Sequence, residues 1–185
     1  MINPVSKAMS LPLIIALICF VVFFVFGATN QQLAFNQQNF HTWQLLSAHF
    51  VHYDFKHLIL NMLALAILLY LFPVSNRDLI MGIVLSLVLI DAYLLFSGVY
   101  FYIGFSGLLY AIPGLATGQL ILAKRYGYAL LIILAYLIYV GLSFFSVNIS
   151  MDILWKPLKA AHFFGFVSGC ILKLIKPPNL HNVSI

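Results

Sequence analysis

A chain of 185 residues with 64% apolar and 7% charged side chains, and a mean hydropathy of +1.07, has too little polar surface to fold as a soluble domain. Its nine Lys and Arg residues against four Asp and no Glu give a net charge of +5. They are scattered singly or in pairs, without the basic runs and interleaved aromatics that track a phosphate backbone. The composition therefore predicts an integral membrane protein that binds no nucleic acid and whose positive charge reports topology.

Runs of about 18 to 20 apolar residues, the length a helix needs to cross the hydrocarbon core, predict six transmembrane helices. They are roughly Leu11 to Phe26, Phe55 to Phe72, Leu79 to Phe96, Ser106 to Leu122, Tyr128 to Phe145 and Ala160 to Ile175. The first follows a leader bearing Lys7, as a signal peptide would, but it is long and lacks an Ala-x-Ala exit, so it is read as a span. Pro73 and Asn76 close the second run, Ser97 and Gly98 the third, Lys124 and Arg125 the fourth, and Pro177-Pro178 the last. Cys19 and Cys170 fall inside apolar runs, where a thiol behaves as a small hydrophobe, and no disulfide is expected. The expected fold is all-α, a polytopic six-helix membrane bundle over residues 1–185 with no soluble domain.

Alternating the spans puts Lys7, Arg77, Lys124, Arg125, Lys173 and Lys176 on one side and Lys56, Lys156 and Lys159 on the other. The positive-inside bias then predicts cytoplasmic termini and external connections at Gly27 to Asp54, Ser97 to Phe105 and Ser146 to Lys159. Trp43 and Trp155 lie in or near these connections, where indole rings favour the headgroup region. His57, Asn61, Ser106 and His162 all fall within a turn or two of this external face.

Ser106, between Gly104 and Gly107, opens the fourth helix, where backbone N–H groups lack intrahelical partners and can stabilise an oxyanion. Gly107, Ala111, Gly114 and Gly118 continue as a small-residue stripe, and Ala161, Gly165 and Gly169 repeat every four residues on the sixth helix. Two such faces permit close approach. That contact would bring His162 to Ser106 as general base for a nucleophilic hydroxyl. Tyr110, one turn below Ser106, can pack against the imidazole in place of an orienting Asp. Pro113 is expected to kink this helix locally. His57 and Asn61, at i and i+4 on the second helix, are a polar pair that lipid would penalise; turned inward, they would complete an oxyanion site.

Taken together, Gly104-Phe105-Ser106-Gly107, Ala161-His162-Phe163-Phe164-Gly165 and the His57 to Asn61 spacing resemble the rhomboid family of intramembrane serine proteases. The three match its Gly-x-Ser-Gly, Ala-His-x-x-Gly and His-x-x-x-Asn motifs in the same order, and the resemblance covers effectively the whole chain. It implies a Ser106–His162 dyad, Tyr110 stacked beneath the histidine, His52 as an additional loop histidine, and no cofactor or metal. It also implies single-span membrane proteins as substrates, within the lipid bilayer of a bacterial inner (cytoplasmic) membrane and with the site toward the periplasmic or external side. Trp43 is followed by Gln44 where the family often has Trp-Arg, a departure that bears on the bracing of the first external connection. Small size and the His49-Phe50-Val51-His52 lead-in are similar to the rhombosortase subgroup, associated with removing C-terminal Gly-Gly-type membrane tails from secreted proteins.

Other readings attach to the same residues. Each motif alone could be helix packing or interhelical glue, and the chain could be a catalytically silent relative that binds membrane clients. A transporter would need a path of charged or broken helices, for which Asp91 alone is available. His41, His49, His52 and His57 invite a metal, but no His-Glu-x-x-His accompanies them, and His41 and His49 are expected to be solvated or interfacial, with His181 in a polar tail. Asp91, the one carboxylate read as lying inside a span, is expected to hydrogen-bond to a neighbouring helix. The fifth helix, with Tyr128, Tyr136 and Tyr139, is expected to face lipid, to carry no chemistry and to act as a lateral gate.

Overall fold

The computed structural model describes residues 4–146 and 158–175. The expectations for Trp155, Lys156, Lys176, Pro177-Pro178 and His181 lie outside these residues.

Helix covers each of the six apolar stretches. The first, α1 (Pro4–Phe26), begins earlier than expected, because Pro4 suits a first helical turn and nothing before Leu11 breaks it. The connection that follows is ordered rather than plain loop. It holds a two-residue strand β1 (Phe35–Asn36), a 3-10 turn (Gln37–Asn39), the short helix α2 (Gln44–Ser47) and a second 3-10 turn (Ala48–Phe50). Next come α3 (Phe55–Leu71), capped by the Asp54 carboxylate on the His57 N–H, and α4 (Asn76–Phe96), which starts at Asn76 because Ser75 caps it.

Strand β2 (Phe101–Tyr102) pairs antiparallel with β1, Phe35 opposite Tyr102, so the connection before α3 and the connection after α4 are stitched together. The fourth stretch is broken in two, α5 (Ser106–Leu109) and α6 (Ala111–Leu122), at Tyr110. Pro113 accounts for the break: it has no N–H to offer the Leu109 carbonyl, and its ring clashes with that group. Lys124, at φ +57°, ends α6. Helices α7 (Tyr126–Ser146) and α8 (Lys159–Ile175) complete the described chain.

The core packs α6 against α8, with α4 behind them. Small residues make that contact possible: a Cβ on Gly114 would strike the Phe166 carbonyl, one on Gly165 the Gly107 carbonyl, and one on Gly169 the Ala111 carbonyl. The Ser86 and Ser168 hydroxyls meet between α4 and α8. At one end of the bundle Lys173 Nζ donates to Asp78 Oδ2 at 2.7 Å, joining the last turn of α8 to the first turn of α4. The polar residues of the sequence motifs gather at the opposite end.

Leu13, Leu17 and Phe24 on α1, Leu60, Leu63 and Tyr70 on α3, Val84 and Val88 on α4, and Leu130, Leu134 and Leu137 on α7 are all exposed. Such a continuous apolar exterior suits lipid rather than water. Among the described residues, α4 is by itself long and apolar enough to cross a membrane. The segment Gln44–Phe50 with α3 passes the same test as a pair bent by 87°, and Ser10–Phe26, Ser106–Leu122 and Tyr126–Leu142 are shorter apolar helices.

Candidate active site

Ser106 is the first residue of α5, two positions after Gly104, whose φ of +119° few side chains tolerate. A Cβ on Gly104 would lie 2.9 Å from His57 Cε1, so the bare glycine leaves room between His57 and the Ser106 hydroxyl. From α8, His162 reaches across the small-residue contact, and its Nε2 lies 2.9 Å from Ser106 Oγ. The two residues are 56 positions apart in sequence and meet because Gly165 lets α8 seat on the Gly107 carbonyl. Tyr110 stacks on the imidazole, with centroids 4.5 Å apart and planes at 25°.

His57 and Asn61 sit one turn apart on α3, buried, and line the same cavity of about 510 Å³ as Ser106, Tyr110 and His162. The Tyr53 N–H lies 3.3 Å from His57 Nδ1 and donates to it, which leaves the ring proton on Nε2. The Asn61 Nδ2 amide has no hydrogen-bond partner among the described residues and is available to a ligand in that cavity. His52 is buried with its ring 5.1 Å from that of His57. Burial, reinforced by His57, pushes its pKa down to about 4, so it is neutral at ordinary pH.

Three expectations need correction. His49 is not solvated: it is fully buried, with Nε2 3.1 Å from Asp91 Oδ1, because the 3-10 turn carrying it folds inward under β2. Asp91 does hydrogen-bond, but to this connection rather than to a neighbouring long helix. Helix α7 has a largely exposed face, yet it also reaches the site: the Tyr139 hydroxyl lies 3.4 Å from His162 Nδ1. His41 is exposed, stacked on the exposed Trp43 at 4.3 Å. Among the described residues no group of three His, Cys, Asp or Glu side chains is placed to hold a metal ion.

Gln44, the residue at which the chain departs from the Trp-Arg pattern, is fully buried. Its Oε1 accepts from the backbone N–H groups of Asn36 (3.3 Å) and His41 (3.2 Å). Its amide lies 3.4 Å from both the Gln32 and Asn39 carbonyls, so one neutral side chain ties the first connection together.

Sequence reasoning thus gave Tyr139 no role, passed over Tyr102, and noted Gln44 only as a departure from a pattern. Tyr139 had one signal, its place three residues after Tyr136 on one helical face; Tyr102 had only its place two residues before Gly104.

A hydroxyl, an imidazole within hydrogen-bond reach, an aromatic shelf and an amide aimed into one cavity form the equipment of nucleophilic acyl transfer. A search of curated proteins returned no match. The Rhomboid domain family model, in contrast, matches residues 39–178, which take in the connection before α3 from Asn39 onward, α3 to α8 and every motif residue above. The chain is therefore a membrane protein and belongs to the rhomboid family, whose members are generally intramembrane serine proteases.

Proposed function

We propose that this chain is an active intramembrane serine endopeptidase, with Ser106 as nucleophile and His162 as general base. The observation that carries the reading is the 2.9 Å approach of His162 Nε2 to Ser106 Oγ at the wall of a mostly apolar cavity. For Nε2 to take the hydroxyl proton, the imidazole proton must reside on Nδ1. The Tyr139 oxygen, 3.4 Å from Nδ1, supports that tautomer by accepting the proton's hydrogen bond.

Ser106 Oγ attacks the scissile carbonyl as its proton passes to His162. The tetrahedral oxyanion is held by the Ser106 backbone N–H, His57 Nε2–H and the Asn61 amide, each such donor being worth roughly 2.7–4 kcal/mol of transition-state stabilisation. The imidazolium returns its proton to the leaving amine, and an acyl-enzyme remains. A water molecule, deprotonated by the same imidazole, then hydrolyses the ester.

The substrates are single-span membrane proteins whose helix frays near the outer face, because a continuous helix hides its carbonyls. The enzyme lies in the bacterial inner membrane as six spans with cytoplasmic termini, and the site faces outward. The His49 to His52 lead-in favours the rhombosortase role, removal of Gly-Gly-type C-terminal tails.

Labelling of the detergent-solubilised protein with a fluorophosphonate probe tests the proposal. The wild-type chain should label, and Ser106→Ala and His162→Ala should not. Equal labelling of all three, or none of the wild type, rejects it and turns the case toward a silent client-binding relative.

A further inference from the structure

A second buried polar chain lies behind the nucleophile and has no part in the reaction just described. Asp91 on α4, His49 in the 3-10 turn and Tyr102 on β2 are respectively 7%, 0% and 5% exposed. His49 Nε2 lies 3.1 Å from Asp91 Oδ1, and His49 Nδ1 lies 3.3 Å from the Tyr102 hydroxyl. That hydroxyl in turn donates to the Gly104 carbonyl at 3.0 Å.

The proton count along the chain is fixed by its last link. Since the Tyr102 O–H is given to Gly104, the Tyr102 oxygen must accept from His49 Nδ1–H. His49 Nε2 and Asp91 then share one further proton, and the bond between them forms whichever atom holds it. Every member is satisfied, as a buried network must be.

The chain ends on the residue whose backbone conformation sets the nucleophile. The Gly104 N–H donates to the Ala48 carbonyl at 3.0 Å, so both polar backbone groups of Gly104 are held, one by the residue before His49 and one through His49's partner. Tyr102 is itself fixed by its pairing with Phe35. Its hydroxyl also lies 2.9 Å from where a Cβ on Gly107 would be, so it sits against both glycines that flank Ser106.

We propose that Asp91, His49 and Tyr102 are positioning residues that clamp the Gly104 peptide and thereby aim Ser106 at His162. This rests on the protease reading above, and its test therefore carries one readout independent of turnover. Tyr102→Phe deletes one oxygen and keeps the ring packing, so the variant should fold; kcat on a membrane substrate should fall about tenfold, with KM within about twofold of wild type. Asp91→Leu should match that loss. Asp91→Asn should retain near-wild-type kcat, because its amide N–H can donate to His49 Nε2. In parallel, amide hydrogen exchange at Gly104 should accelerate in Tyr102→Phe and Asp91→Leu but not in Asp91→Asn.

Unchanged exchange and kcat in Tyr102→Phe would overturn the clamp. So would a loss in Asp91→Asn equal to that in Asp91→Leu, since a network defined by hydrogen bonds alone tolerates the amide. If the wild-type chain fails to label with the fluorophosphonate but the variants show these exchange changes, the protease reading falls and the clamp on Gly104 stands.

Discussion

The His162 imidazole has two neighbours that do different things. Ser106 Oγ, 2.9 Å from Nε2, is the group it would deprotonate, while the Tyr139 oxygen, 3.4 Å from Nδ1, would accept the hydrogen bond of the Nδ1–H that marks the reactive tautomer. A phenol is a weaker acceptor than a carboxylate, so its contribution is that of one neutral hydrogen bond, about 1 kcal/mol. Tyr139→Phe should therefore lower kcat about fivefold and leave KM unchanged. Steady-state cleavage of a membrane substrate by both proteins decides this, and an unaltered kcat removes Tyr139 from the mechanism. Ser106, His57, Asn61 and His162 could be picked from the chain because each interrupts an apolar run, where a polar atom needs a reason. Tyr139, Tyr102 and His49 could not, since their roles depend on contacts with residues 23, 53 and 42 positions away that no local spacing announces.

At the scale of elements, the small-residue stripes foretold which helices touch, because a backbone can approach a backbone only where side chains are missing. Gly165 is the most sensitive point, since its absent Cβ is what admits the Gly107 carbonyl beside Ser106. Gly114, on the same interface beyond Tyr110, faces the Phe166 carbonyl away from the reacting atoms. Gly165→Ala and Gly114→Ala should each destabilise by about 1–3 kcal/mol through overpacking. Only the first should also pull His162 from Ser106 and reduce kcat more than its loss of folded protein explains. Thermal unfolding and turnover of both variants check this, and equal residual kcat would mean that Gly165 serves packing alone. The connection between α1 and α3 was opaque by the same physics: its order comes from Gln44 bonding to Gln32, Asn36, Asn39 and His41, a tertiary pattern with no periodicity to read. The interruption at Tyr110 was half legible, because Pro113 marks a weakness in the helix while the packed neighbours decide where it breaks.

For the whole molecule, the protease reading raises the question of how a helix in the bilayer would reach a serine enclosed by other helices. A second cavity, of about 420 Å³, lies between α3 and α7, lined by Leu68 and Phe72 on one side and Leu131, Ala135 and Tyr136 on the other. It shares Leu68, Tyr110, Pro113 and Tyr139 with the cavity lined by Ser106 and His162, so the two adjoin, and together they offer a candidate apolar path from the exposed side of the bundle to Ser106. Helix α7 packs chiefly on α6, and its outward side chains are widely exposed, which leaves it little packing to break if it is displaced. Because Tyr139 rides on α7, opening this path would also move the hydrogen-bond acceptor of His162, coupling admission of substrate to the state of the base. Cysteines placed at Leu68 and Ala135, with Cys19 and Cys170 replaced by Ala, allow the two helices to be joined by a reducible thiol linker. The joined protein should still react with a small fluorophosphonate yet cleave a transmembrane substrate at least about tenfold more slowly, with recovery on reduction. A joined protein that cleaves the transmembrane substrate at the unlinked rate would show that substrate arrives by another route, and the α3–α7 path would then be only a lipid-filled seam.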